Sequence, residues 1–140
     1  MSKVAIVFWS ATGNTETMAN CIAEGAGANG TIVSCAEMTP AKLAEFDVVA
    51  FGCPAMGAEQ LEESEFEPMF AALEGSLNGK KIALFGSYGW GDGEWMRDWT
   101  TRMEAAGATV LNGEGLICHE TPDGDGLSEC RELGIQLANA

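Results

Sequence analysis

The stretch Val4-Ala5-Ile6-Val7-Phe8-Trp9-Ser10-Ala11-Thr12-Gly13-Asn14-Thr15-Glu16 decides how this chain is read. Val4 to Phe8 is an apolar strand that stops abruptly in a cluster of hydroxyl and amide side chains, and the pattern from Glu16 to Ala26 is helical. A strand that turns directly into a helix points several backbone N–H groups, and the positive end of the helix dipole, at one spot. That spot suits a phosphate. Ser10, Thr12 and Thr15 offer hydroxyls, Asn14 an amide, and Gly13 lets the backbone turn closely. The loop holds no Lys or Arg, so it would grip a phosphate with neutral hydrogen bonds. The Lys-Ser/Thr ending of triphosphate loops and the dinucleotide G-x-G-x-x-G are both absent, which argues for a phosphate monoester and against ATP, GTP and NAD. Six residues of polar βα loop with a helix cap would look the same, so the rest of the chain must decide.

Outward from that loop, apolar runs alternate with helical patterns. The runs are Val4 to Phe8, Thr31 to Ser34, Val48 to Phe51, Ile82 to Phe85, and Thr109 to Cys118 with Gly113 interrupting. Between them lie helical stretches at 16–26, 40–45, 65–73, 94–106 and 127–138. Strands without polar alternation suit burial on both faces. Five strand–helix alternations predict an α/β protein with an open parallel sheet covered by helices on both faces. Trp95, Trp99 and Met103 recur every four residues and read as core, as does the stripe Leu127, Cys130, Gly134, Leu137, Ala138. Ligands of such sheets bind at the carboxyl ends of the strands, which singles out the loops after strands one, three and four.

Composition narrows the function. At 140 residues and 46% hydrophobic content, residues 1–140 read as one domain with its own core. Met1-Ser2-Lys3 leads straight into a strand with no apolar leader, and no apolar run approaches the roughly 20 residues a membrane span needs. Five scattered cysteines without a C-x-x-C pair read as reduced, mainly structural thiols, and with the absence of a leader they predict a cytoplasmic protein without a metal site. The net charge of −14 is the wrong sign for nucleic acid. Glu59, Glu62, Glu63, Glu65 and Glu67 form a dense acidic run that would steer basic protein partners.

The loop after strand three reads Gly52-Cys53-Pro54-Ala55-Met56-Gly57-Ala58-Glu59, and that after strand four Gly86-Ser87-Tyr88-Gly89-Trp90-Gly91-Asp92-Gly93. Each carries one large residue among small ones. An indole between two glycines has no neighbour to shield it, so a stacking partner is expected, and the soft thioether of Met56 could cover the opposite face. A planar ring between Met56 and Trp90, with its phosphate in the Ser10–Thr15 loop, uses all three loops at once.

Ser-x-Thr-Gly-Asn-Thr, Cys-Pro-Ala-Met-Gly and Leu-Phe-Gly-Ser-Tyr-Gly-Trp-Gly-Asp-Gly-Glu-Trp-Met resemble, nearly letter for letter, the short-chain bacterial flavodoxins, and the likeness runs along essentially the whole chain. The resemblance implies a flavodoxin-like three-layer sandwich with a five-stranded parallel sheet of order 2-1-3-4-5. It implies non-covalent FMN and low-potential one-electron carriage on the semiquinone/hydroquinone couple between redox proteins. The protein would then be a monomeric carrier with no catalytic residue. It assigns FMN contacts to Ser10, Ala11, Thr12, Gly13, Asn14 and Thr15 around the phosphate. Pro54, Ala55, Met56, Gly57, Ala58 and Glu59 form the second set, and Ser87, Tyr88, Gly89, Trp90, Gly91 and Asp92 the third. Met56 and Trp90 would flank the ring, with Glu59 and the Ser87–Gly91 backbone at its pyrimidine edge. Two residues depart from the pattern: Ala11 stands where a Gly is common, and Ala58 where an acidic or hydroxyl residue is frequent. In such carriers a peptide flip after the loop Met is thought to supply a carbonyl to the flavin, and Gly57 can take the positive φ that a flip needs.

The rival on the same fold is an FMN-dependent NAD(P)H or quinone reductase, but the chain has no nicotinamide motif and no long insertion to build a substrate pocket. A phospho-receiver domain would need acidic residues after strands one and three, where this chain has Trp9-Ser10 and Cys53-Pro54. A small phosphatase would need Cys-x5-Arg, which is absent. His119, beside Glu120, reads as a solvated surface histidine.

Overall fold

Continuous Val, Ile, Ala and Phe leave two of the first four strands almost no solvent face. Of β1 (Val4–Phe8), β2 (Gly30–Val33), β3 (Val48–Gly52) and β4 (Lys81–Tyr88), these are β1 and β3. With β4 they form the middle of the sheet, while β2 lies at its edge with Thr31 and Ile32 exposed. A computed structural model describes residues 2–11, 13–56, 60–89 and 91–140. All strands pair in parallel, in the order β2-β1-β3-β4-β5, with β5 at Thr109–Val110. A sixth strand, β6 (Leu116–His119), pairs with the outer half of β4. The helices are α1 (Asn14–Ala26), α2 (Pro40–Leu43), α3 (Phe66–Leu73), α4 (Glu94–Ala105) and α5 (Gly124–Ala138). The predicted strand order holds.

One element differs from the sequence reading. The run Thr109–Cys118 is two strands, because the chain leaves the sheet at Leu111 and returns at Leu116. Gly113 (φ 65) and Gly115 (φ 92) supply the left-handed turns this detour requires. Asn112 fills the gap: its carboxamide accepts from the Leu84 N–H at 3.2 Å and donates to the Leu84 carbonyl at 2.8 Å. The edge of β4 therefore stays paired through a side chain. β4 also runs past Phe85 to Tyr88, since Gly86 and Ser87 are buried although neither is apolar.

Alternate residues of the strands feed two cores. Val7, Val49, Phe51 and Leu84 pack under α3 and α4, with Phe66, Phe70, Trp95, Trp99 and Met103. Trp99 meets the rings of Phe66 and Phe70 edge-on at 5.4 and 5.8 Å. Val4, Ile6, Ala50, Ala83 and Phe85 pack under α1 and α5, with Met18, Ile22, Cys130, Leu133 and Leu137. The two helices touch backbone to backbone. A Cβ on Gly134 would lie 2.0 Å from the Ile22 carbonyl oxygen, and one on Gly25 would lie 1.9 Å from that of Arg131. Among the described residues no helix is long and apolar enough to cross a membrane. All five cysteines are free. Burial pushes the Cys53 thiol up to about 12 and the Cys35 thiol to about 11, which makes both unreactive as thiolates.

Candidate functional site

β1, β3 and β4 lie side by side, so the loops leaving their carboxyl ends meet. They enclose an open cleft of about 320 Å³. Ser10, Ala11, Asn14 and Thr15 line it from the β1 loop and the first turn of α1. Pro54, Ala55 and Met56 line it from the β3 loop, and Ser87, Tyr88 and Gly89 from the end of β4. Ten of the expected site residues are thus brought to one place. Gly91 and Asp92 lie beyond this lining; Asp92 is exposed and pairs with Arg97 at 3.0 Å, which holds its carboxyl below the usual range. Thr12, Gly57, Ala58, Glu59 and Trp90 lie outside the described residues.

At the α1 end of the cleft, Gly13 is the N-cap of the helix with φ 96, and Ala11 is not among the residues with positive φ. Ser10 Oγ accepts from the Gly13 and Glu16 amides at 3.1 and 3.3 Å. The amides of Asn14 and Thr15 find no acceptor among the described residues, although both residues line the cleft. A helix start that leaves amide donors without partners beside the cleft fits an anionic group. Behind it, Thr15 is 1% exposed. Its Oγ1 shares a hydrogen bond with Ser87 Oγ at 2.9 Å and accepts from the Ser87 N–H at 3.3 Å. One buried pair thus locks the start of α1 to the end of β4.

The β3 loop is held as firmly. Trp95 Nε1 donates to the Cys53 carbonyl at 3.1 Å, and Ala55 N–H donates to the Ser87 carbonyl at 3.0 Å. Met56 N–H donates to the Gln60 carbonyl at 3.2 Å. Small Ala55 and the thioether of Met56 leave an apolar wall suited to a flat ring.

The acidic run departs from the sequence reading. Glu62 does not face solvent: it is 5% exposed, and its carboxylate caps the turn leading into α3, whose N-cap residue is Glu65. Its carboxylate accepts from the Ser64, Glu65 and Phe66 amides at 2.7–2.9 Å and from the Ser64 hydroxyl. Burial opposes its ionisation, but these hydrogen bonds prevail and hold its carboxyl at about 2. Glu67 is engaged with Arg102 at 2.7 Å, and Glu65 accepts from Trp9 Nε1 at 2.8 Å. Among the described members only Glu63 and Glu65 are exposed.

Sequence reasoning missed the fourth wall of the cleft, Glu120. The signal was available: Glu120 follows a strand at the carboxyl edge of the sheet, as the three chosen loops do. His119 is exposed, as expected, but not free. Its ring lies 5.1 Å from that of Tyr88, and Nε2 is 3.2 Å from the Gly89 carbonyl oxygen.

A doubly wound parallel sheet with a phosphate-type helix start and an apolar slot at its carboxyl edge defines a mononucleotide-binding α/β protein. The family model described as Flavodoxin matches residues 6–134. The flavodoxin of Megasphaera elsdenii is 49% identical over 98% of this chain and 99% of its own length. That of Clostridium beijerinckii is 46% identical over 96% and 98%. The solution structure of two-electron reduced Megasphaera elsdenii flavodoxin superposes with a TM-score of 0.85, covering 98% of this chain and 99% of that one. The chain belongs to the flavodoxin family. It is an FMN-binding electron carrier rather than an enzyme, and the reductase alternative gains nothing from these matches.

Proposed function

We propose that this chain shuttles single electrons at low potential between redox proteins, as one monomeric, cytoplasmic domain. The convergence of the β1, β3 and β4 loops on one cleft, with no Lys or Arg in its lining, carries this reading. When bound, FMN supplies the redox centre, a ring that accepts and releases electrons one at a time. The residues present fit it. Ser10, Ala11, Thr12, Gly13, Asn14 and Thr15 would hold the phosphate with backbone amides and hydroxyls. Pro54, Ala55, Met56, Gly57, Ala58 and Glu59 would line one side of the ring and Ser87, Tyr88, Gly89, Trp90, Gly91 and Asp92 the other, with Met56 and Trp90 against its faces. Glu120, together with the overall charge, makes a negative field at the cleft that opposes placing a further negative charge there. In water-like dielectric a carboxylate about 10 Å away contributes roughly 0.4 kcal/mol before screening. Partners would be basic around their own centres and would dock transiently near Met56 and Gly89, flanked by exposed Glu63 and Glu65.

An anaerobic reductive titration of the FMN-loaded protein tests the reading. Two resolved one-electron steps support it. Direct two-electron bleaching would favour a reductase, and failure to bind added FMN would dismiss the site. Gly57→Val should narrow the gap between the two potentials, because a β-branched residue resists positive φ; an unchanged gap would show that position 57 is not the flexible point.

A further inference from the structure

We propose that His119 is a positioning residue for the ring end of the cleft, clipping the Gly89 carbonyl so that the turn after β4 is held where FMN needs it. The inference rests on the FMN reading of the site. Gly89 lines the cleft and is exposed: a Cβ built there would meet no atom of the described residues beyond its chain neighbours within 4 Å. The turn therefore needs a tether from elsewhere. β6 provides one. It runs beside β4 in register, Tyr88 opposite His119, and its next residue extends the ladder, with Glu120 N–H donating to the Tyr88 carbonyl at 2.7 Å.

One residue past the end of β4, at Gly89, the backbone partner is replaced by a side chain. His119 Nε2 lies 3.2 Å from the Gly89 oxygen. A carbonyl oxygen can only accept, so Nε2 carries the proton and donates. The backbone then turns away sharply. Glu120 has φ 56, the one positive value at a non-glycine residue among those described. Such a conformation persists only where its surroundings demand it. Here it places Glu120 on the wall of the cleft while the preceding imidazole reaches the Gly89 carbonyl. Nε2 also lies 3.9 Å from a Glu120 carboxylate oxygen. The imidazole is exposed, so its contacts with the Gly89 oxygen and the Tyr88 ring are not a by-product of core packing. Both partners line the cleft.

The two contacts can be separated by substitution. His119→Phe keeps a ring beside Tyr88 and removes the donor. His119→Gln keeps an N–H donor at similar reach and removes the ring. The test compares dissociation constants for FMN and for riboflavin, which lacks the phosphate, together with the melting of each apoprotein. His119→Phe should weaken both ligands by the same factor, about fivefold for one hydrogen bond. His119→Gln should stay within about twofold of the parent, with apoprotein melting unchanged in both. The proposal is overturned if His119→Phe binds like the parent, if both variants weaken equally, or if FMN weakens while riboflavin does not. If the parent itself fails to bind FMN, the carrier reading falls with it, and that outcome is recognisable before any variant is made.

Discussion

Thr15 and Glu62 show how differently two site-region side chains announce themselves. Thr15 belongs to a hydroxyl cluster between a strand and a helix, and its place in a phosphate loop could be read from that pattern. Its bond to Ser87 could not, because nothing local links residues 72 apart. Thr15→Val keeps the shape and removes the hydroxyl. It leaves the buried Ser87 N–H without its acceptor, so denaturant unfolding of the apoprotein should show a loss of about 1–3 kcal/mol, with weaker FMN binding as well. Glu62 sits in a run of acids that reads as solvated surface, and only the fold turns it inward to cap the turn leading into α3. Its folded carboxyl lies at about 2 against a usual 4.5. The stability it contributes is therefore fully present above about pH 4.5 and is lost as the pH falls towards 2. Glu62→Gln should cost about 1–3 kcal/mol at pH 7. The difference from the parent should shrink markedly at pH 3; a difference that is the same at both pH values would mean the charge is not what matters.

Among the elements, the uniformly apolar strands were the clearest to read, because burial on both faces leaves them no polar positions. Helix ends were harder. α5 begins at Gly124 rather than Leu127, since the cap, Asp123, and not the apolar stripe, sets the start. The split of the last strand was invisible, because a single carboxamide on Asn112 stands in for backbone pairing and no periodicity reports it. The α1–α5 contact gives the sharpest prediction at this scale. Gly134→Ala must push a methyl into the Ile22 carbonyl, so the helices separate or bend, at a cost of about 1–3 kcal/mol or more despite the better helix propensity of Ala. Gly124→Ala, in the first turn of the same helix with nothing within 4 Å, is the control and should be neutral or slightly stabilising. Equal losses in thermal melts of the two variants would refute the close-contact explanation.

At the scale of the whole molecule, a net charge of −14 on 140 residues places every group in a negative field. Raising ionic strength from about 0.01 M to 0.1 M shortens the screening length from roughly 30 Å to 10 Å. The lower of the two FMN potentials should rise with added salt; a flat response would assign its depression to the apolar walls instead. The parallel sheet, the two helical layers and the three loops were legible in the sequence, since each is written in short contiguous patterns, whereas the strand order came from the family resemblance. The fourth wall and the inward turn of Glu62 are products of tertiary placement. The two cores also differ in time. The layer of α3 and α4 can close once β4 and α4 have been made, whereas the opposite face of the same strands is covered by α1 and α5 together. α5 is the last helix in the sequence. During synthesis, Met18, Ile22 and their strand neighbours must therefore wait for residues 124–138 to complete their cover, and a nascent chain halted before them would have one finished side of the sheet and one covered by α1 alone.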